Sequence, residues 1–349
     1  METPLIEEHR AARAQLSQIQ SCTLPWRFSA LETEFAAGRE KAALFDTSWH
    51  ATWSVGGRDR VQYLHSITSN DIKSLSAGRG TLALLLNPQG HILAELELYA
   101  LAETLLVRSH ISLREQTLAT LKKYIIGSKV TIEDLSDSTG SMAVEGPCAA
   151  QVVRQTCGVD IEAFADLAIQ DVQVEGAACR LVKRSHFGQT GAEWIADRAA
   201  LPAIWRKLLK QVRAIGGQPI GMEALNALRL EAGVPWFPAD FNETTIPQEA
   251  AVEKTHISFN KGCYTGQEIV ERIRSRGHVN RKRVSLKFST ASPPPIGTKL
   301  RAGGSEVGAV TSAAFSPASG TAIGMGYVRR EQFAAGSGVQ FDGGTATIR

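Results

Sequence analysis

A chain of 349 residues with 43% hydrophobic and 21% charged side chains has ordinary globular composition. At about 150 residues per domain it has length for two or three domains and a sizeable core, which excludes a disordered tail. Its 38 Lys and Arg against 35 Asp and Glu leave +3, too little for a wholesale polyanion binder, though a local basic patch is allowed. No apolar run approaches the roughly 18 residues of a spanning helix, and the start Met1-Glu2-Thr3-Pro4 lacks a signal's basic-then-apolar order. The chain therefore reads as soluble and cytoplasmic, without a membrane partner.

In chain order, residues 1–42 read as a helical extension, broken near Pro25 and Gly38. From Thr52 a strand, a helix carrying Val61, Leu64 and Ile67, and a meander over Thr81–Leu86, His91–Leu101 and Leu105–Arg108 follow. Ser112 with Glu115 suggests a capping box for a helix ended by Gly127, and Val130–Ile132 closes a β-α-β-β-α-β, ferredoxin-like order. A similar order recurs: a strand over Met142–Val144, a helix over Cys148–Thr156, three strands over 172–196, and a helix over Leu201–Ile215. The short Gly- and Pro-punctuated strands from Val284 onward suit a small barrel or sandwich. The expected architecture is α+β: a region over 43–278 in two ferredoxin-like halves, about 43–139 and 140–278, then an all-β domain over 279–349.

Five scattered cysteines, Cys22, Cys148, Cys157, Cys179 and Cys263, contain no Cys-x-x-Cys pair, so neither a disulfide framework nor a metal site is expected. The first four fit small buried hydrophobes. Nucleotide loops and the Gly-x-Ser-x-Gly elbow are absent. The informative stretch is Lys261-Gly262-Cys263-Tyr264-Thr265-Gly266-Gln267-Glu268. Thr265 and Glu268 have capping-box spacing, which would set Cys263 just before a helix start and beside Lys261, both favouring thiolate. The same residues would equally serve as a tight turn and a capped helix with an incidental cysteine. The basic run Arg272, Arg274, Arg276, His278, Arg281, Lys282, Arg283 and Lys287 is either a solvated face or an anion site for a polyglutamate tail, a phosphate or RNA. Trp236 and Phe237 could stack on a heterocycle or plug the core. Glu193, Asp240 and Glu249 have no partner visible in sequence.

The octapeptide at 261–268, preceded by Ile246-Pro247-Gln248-Glu249, resembles the signature of the YgfZ-type folate-binding proteins. Leu44-Phe45-Asp46-Thr47-Ser48, Ser69-Asn70-Asp71, Val144-Glu145-Gly146-Pro147 and Leu228–Gly233 widen the resemblance to the glycine-cleavage T-proteins, from about Ala43 to Val328. It implies two ferredoxin-like halves forming a folate-binding region, followed by a C-terminal β-barrel. It implies tetrahydrofolate or a derivative as cofactor, with Glu193, Trp194, Arg229 and Trp236 lining a cleft between the halves. Tyr264, Gln267 and Glu268 are further cofactor contacts, and Cys263 with Lys261 forms the reactive centre. Where T-proteins carry an Asp-Asp pair this chain has Ala94-Glu95, and where they carry Arg-Asp it has Leu225-Asn226. These departures argue against aminomethyl transfer. Glu95, one residue along a strand from Ala94, should face the other way.

The resulting expectation is a tetrahydrofolate-binding accessory protein for assembly or repair of iron–sulfur enzymes, which would be its partners. The alternatives are a folate-dependent aminomethyltransferase and an RNA- or tRNA-associated protein using Arg272–Lys287.

Overall fold

The computed structural model describes residues 2–19 and 21–349, with Arg276 described by its backbone alone. The chain divides into two compact units, Met1–Ile67 with Asp71–Leu82 and Leu96–Leu225, and Thr68–Asn70 with Ala83–Glu95 and Asn226–Arg349.

The first unit begins with α1 (Ile6–Ala11), a hairpin of β1 (Gln15–Ile19) and β2 (Cys22–Arg27), and α2 (Leu31–Glu40). This corrects the expected helical extension. Cys22 and Leu24 alternate inward with the two-residue period of a strand, which outweighs the helix-forming glutamates on either side. The segment is also no appendage: Leu5, Cys22, Leu24 and Phe35 are buried. Asp46, at the end of β3 (Ala43–Asp46), takes bonds from His9 Nε2 at 2.8 Å, Thr3 Oγ1 at 2.5 Å and the Ser48 amide at 2.8 Å. Burial pushes this carboxyl up, but those donors hold it below the usual carboxylate range.

Next come β4 (His50–Gly56), α3 (Arg60–Ile67), β5 (Gly80–Leu86), β6 (Ile92–Ala100), β7 (Leu105–His110), α4 (Arg114–Lys123) and β8 (Thr131–Asp134). Their sheet has the order β5-β6-β7-β4-β8. The order then repeats: β9 (Thr139–Glu145), α5 (Ala149–Cys157), β10 (Ile169–Val174), β11 (Ala177–Lys183), β12 (Gly191–Asp197), α6 (Leu201–Ala214) and β13 (Gln218–Pro219). The second sheet, β10-β11-β12-β9-β3-β13, matches the first position for position, except that β3 is inserted between β9 and the last strand. Each half is ferredoxin-like with one strand added to the meander. Val152, Trp194, Trp205 and Leu208 anchor the core between the second sheet and α5 and α6. α5 ends where Gly158 takes the left-handed conformation, φ 71°, a standard glycine stop.

α4 lacks the expected Ser112–Glu115 box. A 3-10 turn over Ile111–Leu113 precedes it, and His110 Nδ1 instead receives the Ser112 amide at 3.2 Å. β7 runs two residues further than expected, so its terminal imidazole reaches that amide first.

The second unit contains the rest of α7 (Met222–Glu231), α8 (Pro247–Ala250), α9 (Glu253–His256) and α10 (Gln267–Arg276). It then forms a closed six-stranded barrel from β14 (Arg281–Phe288), β15 (Lys299–Ala302), β16 (Ser305–Ser316), β17 (Thr321–Arg329), β18 (Gly338–Phe341) and β19 (Gly344–Ile348), in the order β14-β17-β16-β15-β18-β19. Leu286, Phe288, Leu300, Val328 and Ile348 fill it. Among the described residues no helix is long and apolar enough to cross a membrane.

Candidate functional site

In the first unit, β6, β7 and β12 each deliver one ionised residue to a buried cluster. Arg108 Nη2 donates to Glu193 Oε1 at 2.7 Å and to Ser141 Oγ at 2.8 Å, while Nη1 donates to Glu97 Oε2 at 3.2 Å. Glu97 also accepts from Arg184 Nε at 2.8 Å and from the Tyr99 hydroxyl at 3.0 Å. Thr47 Oγ1 donates to Glu193 Oε1 at 2.8 Å. Two guanidiniums thus face two carboxylates, and Arg108 and Glu193 are about 1% and 0% exposed.

The charges set one another. Burial would push Glu97 up, but Arg184, His50 and Arg108 hold it at about 2. Burial, with Arg108 beside it, pushes the His50 imidazole down to about 3, and its Nδ1 lies 3.0 Å from both Arg108 Nη2 and the Thr47 carbonyl. Glu193 Oε2 faces His186 Nε2 at 3.3 Å, and against its burial Arg108 with that imidazole holds the carboxyl well below the usual range. His186 stands in a loop held by Glu145, whose carboxylate accepts the amides of His186, Phe187 and Gln189 at 2.5, 2.9 and 2.9 Å and the Ser185 hydroxyl at 2.8 Å.

In the second unit, three separate stretches of chain meet at Ser69. Its amide donates to Leu84 O at 3.0 Å, and its Oγ accepts the Leu84 amide at 2.8 Å and donates to His256 O at 2.6 Å. Its carbonyl accepts the Ser258 amide at 3.1 Å. Ala94 is buried, whereas Glu95 faces the other way, as its strand position requires, and bonds His256 Nε2 at 2.8 Å. On the other side of the ring, His256 Nδ1 lies 2.8 Å from Thr255 Oγ1 and 3.2 Å from Val252 O, so the imidazole is held at both nitrogens.

The cysteine loop lies beside this junction. Gly266 has φ 83°, and a Cβ there would sit 2.6 Å from Asn87 O, so only glycine fits against the Asn87–Gly90 turn. α10 therefore starts at Gln267 behind Gly266, with no side-chain cap, which corrects the expected Thr265–Glu268 box. Gln267 Oε1 instead accepts the Tyr264 amide at 3.3 Å. Cys263 is the one exposed cysteine of the five, while Glu268 is exposed on the first turn of the helix. Burial pushes the Cys22 and Cys179 thiols up to about 12, as suits inert core residues. The Lys261 ammonium is buried, donates to Thr68 O and lies 5.0 Å over the Tyr264 ring.

Several expected site residues are placed differently. Trp194, expected to line a cleft, is fully buried in the hydrophobic core, on the opposite side of β12 from Glu193. Arg229 is 1% exposed, pairs with Asp240 and stacks 4.6 Å from the Trp236 ring. Asp240, unpaired in sequence, also accepts from Ser312 and Thr311 at 2.6 and 2.7 Å, and Glu249 pairs with Arg281 at 3.1 Å. Glu193 and Trp194 belong to the first unit, Arg229 and Trp236 to the second.

The basic run is divided: Arg274 lies over Phe259 at 4.2 Å, Arg281 over Tyr327 at 5.3 Å, and Arg283 donates to Ala250 O at 2.9 Å. Arg272 and Lys287 remain exposed, and the Arg276 side chain lies outside the described residues. Sequence reasoning missed Arg108, Glu97, His50, His186 and His256. Arg108 had one signal, a lone cation directly following the apolar run Leu105-Leu106-Val107 on the same strand.

Two repeated α/β halves followed by a six-stranded barrel, with a buried ion cluster in one unit and a Ser69 junction in the other, define a two-part architecture. The GCVT N-terminal domain matches residues 5–261, and the glycine cleavage T-protein C-terminal barrel domain matches residues 281–347. The chain belongs to this T-protein family. It is 28% identical over 329 residues to an aminomethyltransferase of Rubrobacter xylanophilus, covering 94% of this chain and 87% of that one. To an aminomethyltransferase of Moorella thermoacetica it is 27% identical over 340 residues, covering 97% and 92%. The crystal structure of glycine cleavage system aminomethyltransferase T from Bartonella henselae superimposes with a TM-score of 0.90 at 25% identity, covering 100% of this chain and 96% of that one.

Proposed function

We propose that this protein binds tetrahydrofolate and that its reactive centre is Cys263 rather than a carboxylate on β6, in support of iron–sulfur enzyme assembly or repair. The observation that carries the reading is the contrast between Ala94 and Cys263. The strand position where the resemblance to T-proteins implies an aspartate here holds the buried methyl group of Ala94, and the exposed thiol of Cys263 sits in a loop built by glycines and a buried lysine. Glu95 is committed to His256.

The residues present fit a reduced folate in part. Glu193 offers a carboxylate whose Oε2 faces His186 Nε2, at 3.3 Å, an acceptor of the kind a pteridine N–H edge requires. Glu193 is fully buried beside the His186 loop. Trp236 offers an aromatic face already neighboured by Arg229. Bound tetrahydrofolate would supply nitrogens that carry one-carbon groups, and Glu193 the acceptor for its pteridine edge.

Aminomethyl transfer is the second reading, favoured by relatives named aminomethyltransferase over nearly the whole chain. Two assays separate them. The iron–sulfur reading expects Cys263→Ser to fold normally yet fail to restore iron–sulfur enzyme activity in cells lacking the protein, with no methylene-folate formed from an aminomethyl donor. Robust methylene-folate formation, unaffected by Cys263→Ser, establishes the second reading instead.

A further inference from the structure

The Cys263 loop is tied down at both ends, and the tie nearer the thiol is a lysine. We propose that Lys261 is a positioning residue that fastens the cysteine loop to the Thr68–Asn70 segment, and not the source of charge at the thiol. The inference rests on Cys263 being the reactive group.

Only 9% of Lys261 is exposed, and its partners include the Thr68 carbonyl and the Tyr264 ring, which flank the loop. A buried ammonium holds its acceptors tightly, because lifting the loop would strand the charge in a poorly solvated place. The Thr68 end is itself fixed, since Ser69 bonds Leu84 on one side and His256 and Ser258 on the other. At the far end Gly266 seats against Asn87. Between these anchors lie Gly262 and Cys263, exposed residues with little packing of their own. Lys261 therefore determines where the sulfur stands, while its charge is already engaged by an oxygen and a π face.

The two roles predict different phenotypes. Lys261→Met should raise amide hydrogen exchange over residues 262–266 by about tenfold or more and leave the pH midpoint of Cys263 alkylation by iodoacetamide where it is in the wild type. Lys261→Arg, which keeps the charge and the donors, should restore slow exchange and the cellular iron–sulfur rescue lost in Lys261→Met. An alkylation midpoint displaced upward, or exchange unchanged, in Lys261→Met overturns the proposal. Should Lys261→Met fold poorly, Tyr264→Leu removes the ring partner alone and should raise the same exchange; unchanged exchange there also overturns it. Full rescue by Cys263→Ser would defeat the underlying reading without touching either measurement.

Discussion

The Arg108 cluster and the Ser69 junction solve the problem of buried polar groups in opposite ways. Around Arg108, formal charges face formal charges, and every ionised group is locked by the others. Around Ser69, the bonds run almost wholly between one hydroxyl and backbone groups, leaving an exposed cysteine and a partly exposed glutamate at the edge. A charge network tolerates no missing member, because each removal leaves a buried ion alone. A backbone junction loses one hydrogen bond at a time. The first is suited to holding two sheets in register, the second to presenting an exposed side chain such as Cys263.

That contrast is broken or sharpened by mutation. Arg108→Met takes the guanidinium from buried Glu193, while Glu97 keeps Arg184, and should cost about 3–5 kcal/mol, read as a large drop in the denaturant midpoint. Ser69→Ala removes only one hydroxyl and should cost about 1–3 kcal/mol. Equal costs would erase the distinction.

Acid should act on the charged side first. His50 is held near 3 and His110 near 4 by burial, against 6.5 for free imidazole. Below pH 6.5 the unfolded chain takes up protons that the folded one refuses, so stability should fall as pH drops from 6.5 towards 4. Below that window, Glu97, held at about 2, adds a further loss as the unfolded chain's carboxylates protonate. Melting temperatures recorded from pH 7 to 4 check this; a flat profile contradicts the neutral burial of both histidines.

Thiol labelling tests the open side. Iodoacetamide at pH 7 should modify Cys263 well before Cys22 and Cys179, whose burial holds them as thiols. The smallest effect is expected from Tyr264→Phe. Its hydroxyl is buried with no partner among the described residues, so its loss should change stability by less than about 0.5 kcal/mol or improve it.

Much of the scaffold was legible in the sequence, because long helices such as α6 carry a 3.6-residue apolar period and glycines such as Gly158 mark their ends. The N-terminal hairpin was not, since its short strands compete with glutamate-rich flanks. Both proposed capping boxes failed for local reasons: His110 intercepts one amide, and Gly266 occupies the other cap in a conformation forced by Asn87. Trp194 was misjudged because β12 is buried on both faces, so alternation could not say which face meets a ligand. The Arg108 cluster joins residues as far apart as 97 and 193, a pairing that no local pattern encodes.

Cys263, the proposed centre, is reached most directly through its consequence in cells. Cys263→Ser, expressed at wild-type level with an unchanged melting temperature, should leave iron–sulfur enzyme activity uncorrected in cells lacking the protein, while still binding tetrahydrofolate in a titration up to about 1 mM. Full correction by the serine variant would contradict the account.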